Sequence, residues 1–335
     1  MNKMLKGMIK AGMVELGARY GQHRKKDTTP RLWIMMYHRV LPETDSQYAI
    51  EEPGMMVTPE TLDMHFSVLK QEFTLISLRE WLERVQADRP LPEKACAITF
   101  DDGWLDNYQY AYPIIQQHQV PITLYAVSDM IGTHQTFWPN RLAKILTSSN
   151  QQLQQLDWLR PLLRDLDGQQ ATSNEYTASV IYQMKSFQDD QLLNWLDEAE
   201  NTLGISEPES PVLMNWSQLS EMSQNELIDI GAHTCRHLRL SAQLPLAVAE
   251  SEIIKSKQQL EQQLEQPVEL FCYPNGDFTD KVTEIVSQHY QSAVTTHRGI
   301  NRLSSLSPYR LDRIGLHNDI SNTPKKLLAR IGMGF

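Results

Sequence analysis

The sequence predicts an α/β fold in which parallel strands alternate with helices. Short apolar runs of the kind that form buried strands recur along the chain, and longer amphipathic segments separate them. Several of these longer segments begin with helix-capping residues. Alternation of strand and helix is typical of parallel-sheet construction. At 335 residues the chain is long enough for one large domain with an insertion, or for two domains.

The first elements show the alternation most clearly. The apolar segment Arg31–Tyr37 predicts a first strand, and Thr58-Pro59-Glu60 predicts a helix start with a capping residue and a proline in the first turn. Ser77 caps a second predicted helix. The other predicted strands lie at residues 73–76, 95–100, 120–127, 227–232, 268–273, 292–296 and 311–316, and the other predicted helices at residues 106–118, 247–265 and 279–288.

The alternation stops over residues 136–225. This stretch is rich in Gln, Leu, Asp and Asn with helical spacing, as Leu192, Leu196 and Leu203 illustrate. We therefore predict a helical insertion on the face that carries the functional residues. Roughly seven strand–helix units fit a barrel or an open doubly wound sheet, and in both the loops after the strands carry the site.

A carboxylate pair and a histidine pair carry most of the functional information. Asp101 and Asp102 follow the predicted strand at residues 95–100, and adjacent acids at a strand end point in different directions. His233 and His237 lie four residues apart, so two neutral imidazoles from one turn of chain can reach the same cation. Alone, either pair is more often a turn or a helix-surface feature. Together, each beside a predicted strand, they favour a metal-assisted hydrolase.

Two motifs give the chain a family resemblance: Thr-Phe-Asp-Asp-Gly at residues 99–103 and His-Thr-x-x-His at residues 233–237. With them it resembles the NodB-homology polysaccharide deacetylases, carbohydrate esterase family 4. The resemblance implies a distorted (β/α)7-type barrel, here interrupted by the helical insertion. It also implies that Asp101 is the general base. Asp102, His233 and His237 would then be the ligands of a divalent metal ion.

A third segment departs from the family pattern. Phe-Cys-Tyr-Pro-Asn-Gly at residues 271–276 resembles the family's Arg-x-Pro-x-Gly groove motif, but Cys272 stands where the family has Arg. Because that Arg orients the base in the family, either another cation does so here or the base is weaker, and Arg313 near the end of the chain is our candidate for that cation. The backbone N–H of Asn275 in the same segment is our candidate for holding the oxyanion.

Two histidines compete for the role of general acid. His38 lies in a Tyr-His-x-Val segment that resembles exopolysaccharide deacetylases with a rearranged motif order, where the corresponding histidine is the acid. His317 offers the histidine of the family's Leu-x-His motif, but its spacing is wrong by one residue. We favour His38. A strand-end histidine that only bonds to the backbone is the alternative interpretation.

The motifs together imply a deacetylase that removes acetyl from an N-acetylated sugar of a surface polysaccharide or its precursor and releases acetate. Zinc is the default ion for two histidines and one aspartate, while cobalt or nickel can bind comparably. An O-acetyl esterase, a cyclic amide hydrolase and a catalytically silent glycan-binding module are the alternatives. Phe137 and Trp138, at the entry to the insertion, either line the sugar groove or anchor the insertion to the barrel.

Composition and charge limit the partners. A formal net charge of −10 argues against nucleic acid and against anionic membrane as the main partner. The three cysteines form no CxxC pair, which favours reduced thiols and a cytoplasmic location. Residues 1–26 form a basic segment ahead of the predicted deacetylase domain at residues 27–335. This segment is either a frayed, solvated helix or a weak contact with the inner-membrane surface.

Overall fold

The computed structural model of the protein describes residues 3–26, 29–164 and 174–333. Eleven strands lie within these residues, all are short, and most of their residues are buried. They are β1 (Arg31–Tyr37), β2 (Arg39–Val40), β3 (Met56–Val57), β4 (Thr74–Leu75), β5 (Lys94–Phe100), β6 (Ile122–Ala126), β7 (Ile228–Ala232), β8 (Leu270–Cys272), β9 (Ser292–Arg298), β10 (Asn301–Arg302) and β11 (Leu311–Gly315).

Seven of these strands form a closed parallel barrel in the order β1, β11, β9, β8, β7, β6, β5. The pairing of β1 with β5 closes it, with Met35 opposite Ile98 and Tyr37 opposite Phe100. β4 extends the sheet beside the first half of β5, and β10 pairs antiparallel with the start of β1. The (β/α)7-type barrel implied by the family resemblance is therefore confirmed, and an open doubly wound sheet is excluded.

The helices of the described chain surround the barrel or belong to the insertion. They are α1 (Lys3–Tyr20), α2 (Pro59–Glu72), α3 (Leu78–Gln86), α4 (Tyr112–His118), α5 (Trp138–Leu146), α6 (Asn150–Leu153), α7 (Arg160–Arg164), α8 (Asn174–Met184), α9 (Asp189–Leu203), α10 (Trp216–Ser223), α11 (Leu246–Leu264), α12 (Asp280–His289), α13 (Asn318–Ser321) and α14 (Pro324–Gly332).

Local sequence explains where the predicted helices begin. The Thr58 hydroxyl accepts a hydrogen bond from the Thr61 N–H at 3.2 Å, and the Ser77 hydroxyl accepts one from the Glu80 N–H at 3.0 Å. The helix predicted over residues 106–118 contains a π-helical turn over Asn107–Ala111 and continues as α4. Two-residue strands such as β2, β3 and β10 carry too little periodicity to be predicted.

Side-chain alternation along the strands separates two apolar layers. Leu32 and Ile34 of β1 share a cluster with Ala95 and Ala97 of β5, and Trp81 of α3 belongs to the same cluster. The intervening β1 side chains pack instead with the surrounding helices. Because alternate residues of a strand face opposite sides, the first cluster fills the barrel interior and the second joins barrel to helices.

The insertion has a core of its own. Leu142, Val180 and Leu196, from α5, α8 and α9, belong to one buried cluster that contains no strand residue. At its start, Arg141 pairs with Glu200, with Nε at 2.8 Å from the carboxylate. The insertion is thus a small helical unit packed on the rim of the barrel.

The N-terminal helix packs on the last helix of the chain. α1 contacts α14. The chain approaches α14 closely at Gly21, just after α1, because a Cβ added there would lie only 2.4 Å from the Gly332 Cα. Gly17 and Ala18 are buried there, while Met13, Leu16 and Tyr20 of the same helix are exposed. Among the described helices, none combines the length and the apolar character that crossing a membrane requires.

Candidate active site

The residues singled out by sequence lie where barrel strands end. Asp101 follows β5, His233 follows β7, Cys272 ends β8, Arg313 lies within β11 and His38 follows β1. All these strands are parallel, so their carboxyl ends meet at one rim of the barrel. Side chains far apart in sequence are thereby brought into contact.

Asp101 forms a bidentate ion pair with Arg313 inside the barrel mouth. The two guanidinium nitrogens Nη1 and Nη2 donate to Oδ1 and Oδ2, each at 2.7 Å. Arg313 is fully buried and Asp101 is 1% exposed. Asp101 is an even number of residues from Ala97 of β5, which faces the barrel interior, so its side chain faces the same way. Arg313 lies two residues from Leu311 of β11, which also faces the interior. The alternation of the strands therefore aims both side chains at the barrel axis.

The ion pair determines the charge of Asp101. Burial alone would raise the pKa of this carboxyl, but the adjacent Arg313 guanidinium outweighs burial and holds the pKa below its usual range. Asp101 is consequently ionised at neutral pH.

Cys272 occupies the space beside this pair. Its Sγ accepts a hydrogen bond from Arg313 Nη2 at 3.2 Å and lies 3.6 Å from Asp101 Oδ2. Burial raises the pKa of the Cys272 thiol, so it stays protonated. Arg313 of β11 thus contacts the carboxylate that the family's groove arginine, replaced here by Cys272 of β8, is expected to orient.

Asp102 has a different environment from its neighbour. Its Oδ2 accepts a hydrogen bond from the indole N–H of Trp104 at 2.8 Å. Its Oδ1 lies 3.5 Å from His233 Nε2 and 3.6 Å from His237 Nε2. One oxygen is therefore oriented by the protein, while the other faces two imidazoles.

The three side chains of this cluster fit a divalent cation. The His233 Nδ1 donates to the Cys272 carbonyl oxygen at 2.7 Å, which turns Nε2 toward Asp102. Burial lowers the pKa of His233, but Cys272 and Asp102 outweigh burial and raise it, so a cation at Nε2 would take the place of a proton. One ligand atom from each of Asp102, His233 and His237 lies within 4.8 Å of the others. Tetrahedral zinc with bonds of about 2.1 Å separates its ligand atoms by about 3.4 Å, close to the distances from Asp102 to both histidines.

Burial keeps His237 neutral. Its pKa is lowered to about 4, first by burial and then by the nearby His233. A neutral imidazole is the form that binds metal ions. The same ring is packed edge-on against Phe137, with ring centroids 5.0 Å apart.

Backbone strain concentrates at this rim. Asp102 (φ 79°), Thr234 (φ 64°), His237 (φ 59°) and Asn275 (φ 56°) all adopt the left-handed conformation that non-glycine residues avoid. Gly103, next to Asp102, also has a positive φ of 85°. Such strain persists where the surrounding structure imposes it, and it is typical of functional sites.

Glu252 fixes the loop that carries the histidines. It lies in the middle of α11, and its Oε2 accepts hydrogen bonds from the N–H groups of Cys235 at 3.0 Å and Arg236 at 2.9 Å. The Arg236 side chain donates to Oε1 at 2.7 Å. Sequence reasoning missed this residue, whose only signal was an acid on the apolar face of a predicted helix.

Trp104 is held in turn by a buried ionic network that sequence reasoning also missed. The Arg39 guanidinium lies 4.2 Å from the Trp104 ring centroid. Arg39 also donates to Asp106 at 2.9 Å and to Glu51 at 2.5 Å. The sequence feature that could have pointed to this network is the position of Trp104, two residues after Asp102.

The two histidines considered as general acid are placed differently. His38 Nε2 lies 3.7 Å from Asp101 Oδ2, and the side chain is 18% exposed. Asn107 donates to the His38 carbonyl at 2.8 Å and so fixes its backbone. The His317 Nδ1 lies 3.7 Å from Asp319 instead. Of the two, His38 is the one in contact with Asp101.

Asn275 lies on the turn that follows β8. Its side chain is exposed and donates to Asp277 at 2.8 Å, and its carbonyl accepts from Thr296 at 3.1 Å. Among the described residues we find no hydrogen-bond acceptor for its backbone N–H. The turn is on the correct rim, although Asn275 makes no contact with Asp101.

Phe137 anchors the insertion to the site. It is 6% exposed and packs between Trp104 and His237, with a ring-centroid distance of 5.0 Å to each. Trp138 packs against the core of the insertion. These contacts of Phe137 fit the second of the two interpretations given above, in which the aromatic pair anchors the insertion to the barrel.

Known proteins share both sequence and fold with this chain. YxkH of Bacillus subtilis, named by inference as a polysaccharide deacetylase, is 27% identical over 109 residues, which are 32% of this chain and 36% of that protein. The poly-β-1,6-N-acetyl-D-glucosamine N-deacetylase of Escherichia coli is 31% identical over 86 residues, which are 25% of this chain and 13% of that enzyme. The aligned segments thus span about a third of the first relative and less of the second.

Solved structures share the fold over nearly the whole chain. The Streptococcus pyogenes deacetylase PplD is 20% identical, with a TM-score of 0.60 over 91% of this chain and 99% of that one. IcaB from Ammonifex degensii is 18% identical, with a TM-score of 0.58 over 90% and 97%. The polysaccharide deacetylase family model matches residues 88–294, well over half of the chain, so this protein belongs to the polysaccharide deacetylase family.

Proposed function

We propose that the protein is a metal-dependent deacetylase that removes acetyl from an N-acetylated sugar of a surface polysaccharide or its precursor and releases acetate. The observation that carries this proposal is the pairing of two adjacent carboxylates with different partners. Asp101 is ionised beside Arg313, and Asp102 faces His233 and His237. A base and a ligand set lie side by side, as metal-assisted hydrolysis requires.

Asp102, His233 and His237 would hold the cation, with zinc as the first choice and cobalt or nickel as alternatives. When bound, such a cation supplies Lewis acidity, which makes water a better nucleophile and the acetyl carbonyl a better electrophile. Trp104 and the Cys272 carbonyl contribute by orienting Asp102 and His233.

Asp101 would accept the proton of the attacking water. Arg313 holds the carboxylate in place and ionised, which is the state that a base needs. The backbone N–H of Asn275 would donate to the oxyanion that forms on the acetyl carbonyl oxygen.

His38 would donate a proton to the departing sugar nitrogen. Its Nε2, 3.7 Å from Asp101, can receive a proton from the carboxylate that took it from water and pass it on. The C–N bond then breaks to give acetate and a free amino sugar. His317 is the second candidate for this role.

The alternatives to this proposal on the same scaffold are that the protein is an O-acetyl esterase or a cyclic amide hydrolase. A catalytically silent glycan-binding module is disfavoured, because burying the Asp101–Arg313 pair is costly and a pure binder has no use for it.

We further propose that residues 27–335 form the deacetylase domain, with the insertion at residues 136–225. The basic segment at residues 1–26 would give at most a weak contact with an inner-membrane surface, in a protein located in the cytoplasm.

Acetate release tests the proposal. The purified protein, loaded with zinc, is incubated with N-acetylglucosamine oligosaccharides in β-1,6 linkage, because a relative is named for that polymer, and in β-1,4 linkage. O-acetylated oligosaccharides form the comparison. We expect acetate from the N-acetylated substrates, loss of release with a chelator and recovery with zinc. Release from O-acetylated substrates alone would replace the proposal with the esterase, and chelator-resistant release would refute the metal site.

A further inference from the structure

The two histidines that face Asp102 are joined by a strained loop, residues 233–237, which we call the histidine loop. Thr234 (φ 64°) and His237 (φ 59°) both adopt the left-handed conformation, which costs non-glycine residues energy. The Nε2 atoms of His233 and His237 lie 3.5 and 3.6 Å from the same Asp102 oxygen, so the placement of both imidazoles depends on the shape of this loop. Such a strained shape persists only where the surroundings impose it.

Glu252 of α11 bonds to the middle of the histidine loop. Its Oε2 accepts from the Cys235 N–H at 3.0 Å and from the Arg236 N–H at 2.9 Å. Consecutive backbone N–H groups that converge in this way form a concavity for an anion, and here the anion is a carboxylate of the same chain. Glu252 is 3% exposed, so water does not compete readily for these bonds.

The other bonds of the loop backbone come from the main chain or from the loop itself. The N–H groups of Ser128 and Asp129, after β6, donate to the Thr234 and Cys235 carbonyls at 3.2 and 2.9 Å. Within the loop, the Thr234 hydroxyl accepts from the His237 N–H at 2.9 Å. In the described part of the chain, Glu252 is thus the only side chain from outside the loop that bonds to the loop's N–H groups.

We propose that Glu252 is a positioning residue for the cation site, which holds the histidine loop in the shape that presents both imidazoles to one cation. This inference rests on the proposed function, because it assigns Glu252 a part in the binding of the proposed zinc ion. Glu252 acts through the peptide groups of Cys235 and Arg236, since its two carboxylate oxygens are engaged by them and by the Arg236 side chain. A loop held in place beforehand binds a cation without the cost of being ordered at that moment.

Three variants test this role. Glu252→Met keeps the length of the side chain and suits a helix, but it removes both oxygen acceptors. Glu252→Gln keeps one neutral acceptor, whose hydrogen bonds are weaker than those of a carboxylate. Glu250→Met is the matched control, because Glu250 is exposed on the same helix, two residues away.

The first measurement is zinc affinity, by competition with a chromogenic chelator at a temperature well below the unfolding of each variant. We expect Glu252→Met to weaken zinc affinity by about 10–100-fold, the range found for groups that orient metal ligands. Glu252→Gln should weaken it less, and Glu250→Met should leave it unchanged. Acetate release by Glu252→Met should recover as zinc is raised, because the ligands and Asp101 are intact. A merely structural role would lower the unfolding temperature without changing the zinc affinity of the folded protein.

The second measurement needs neither zinc nor substrate, because Cys235 reports on the loop. Its side chain is 4% exposed, and the other two cysteines, Cys96 and Cys272, are fully buried. In the metal-free protein, a thiol reagent should label Cys235 at least about ten-fold faster in Glu252→Met than in the unsubstituted protein, since release of the loop exposes the thiol. Glu250→Met should be labelled at the unsubstituted rate. Mass spectrometry identifies the labelled cysteine.

The two measurements separate this inference from the proposed function. Unchanged zinc affinity in Glu252→Met, or an equal loss in Glu250→Met, would overturn the positioning role and leave the proposed function standing. Absence of zinc binding to the unsubstituted protein would overturn the proposed function instead. In either case, equal labelling of Cys235 with and without the Glu252 carboxylate would show that Glu252 does not hold the loop. Should Glu252→Met not fold, the same comparisons with Glu252→Gln decide the matter.

Discussion

Asp101 and Asp102 are neighbours in sequence, yet the fold gives them opposite environments. Asp101 points along the barrel axis into a bidentate contact with a buried guanidinium. Asp102 points away from it, accepts one indole N–H and faces two imidazoles. Side-chain partners, and not residue type, therefore distinguish the two carboxylates, and in the proposed mechanism this difference assigns them different roles.

The partners also differ in origin. Arg313 comes from the last barrel strand and acts on Asp101 by charge. Trp104 is two residues from Asp102 and acts by a neutral hydrogen bond. The comparison predicts that substitutions around Asp101 change proton transfer, whereas substitutions around Asp102 change metal affinity.

The largest effect is expected on the Asp102 side. His237→Ala and Asp102→Asn should each abolish stoichiometric zinc binding and lower acetate release by orders of magnitude, because a ligand is removed. The fold should survive, since the remaining core is large, and thermal unfolding checks this. Zinc measured by elemental analysis after gel filtration is the readout. Full zinc occupancy in either variant would end the assignment of these ligands.

Asp101→Asn should instead keep the zinc and lose the chemical step. Asn accepts a hydrogen bond but cannot take a proton from water, so kcat should fall while metal stoichiometry stays at the unsubstituted value. The measurement pairs elemental analysis with acetate release. If Asp101→Asn loses zinc as completely as Asp102→Asn, the roles of the two carboxylates are reversed.

His38→Ala tests proton delivery on the Asp101 side. A general acid contributes typically 10²–10⁴-fold, so turnover should fall by about that factor with zinc retained. His317→Ala is the matched control and should do much less, because His317 lies against Asp319 and not Asp101. A larger loss in His317→Ala than in His38→Ala would exchange the two assignments.

Trp104→Phe isolates the hydrogen bond on the Asp102 side. The ring is kept for its contacts with Arg39 and Phe137, and only the N–H donor to Asp102 is removed. Outer partners of metal ligands are worth about 10–100-fold in metal affinity, so zinc affinity should weaken by about that factor. Competition with a chromogenic chelator measures it. Unchanged affinity would show that Trp104 merely packs.

Arg313→Gln predicts a pH effect confined to the Asp101 side. Asp101 must be ionised to act, so activity falls as pH drops through its pKa, which Arg313 now holds below the usual range. Without the guanidinium, burial raises that pKa, and the acid limb of kcat should move upward by about 1–3 pH units. Arg313→Lys, which keeps the charge, should move the limb less. Profiles recorded at saturating zinc test this, and an unmoved limb would contradict it.

Local chemistry made much of the molecule predictable. Buried strands such as Arg31–Tyr37 and β5 are continuous apolar runs, and Thr58 and Ser77 cap helices through hydrogen bonds to residues three positions on. These signals depend on neighbours in sequence, which is why the barrel strands lie close to their predicted positions. The network of Arg39, Glu51 and Asp106 has no such signal, because its members come from separate segments.

By itself the sequence determined the order of strands and helices, the adjacent acids at the end of one strand and the histidine pair after another, because these follow from spacing along the chain. Only the tertiary structure decided which oxygen meets which partner. Closure of the barrel brings Arg313 to Asp101, 212 residues away. Such contacts depend on strand register and side-chain parity around a closed sheet, and no local pattern encodes them.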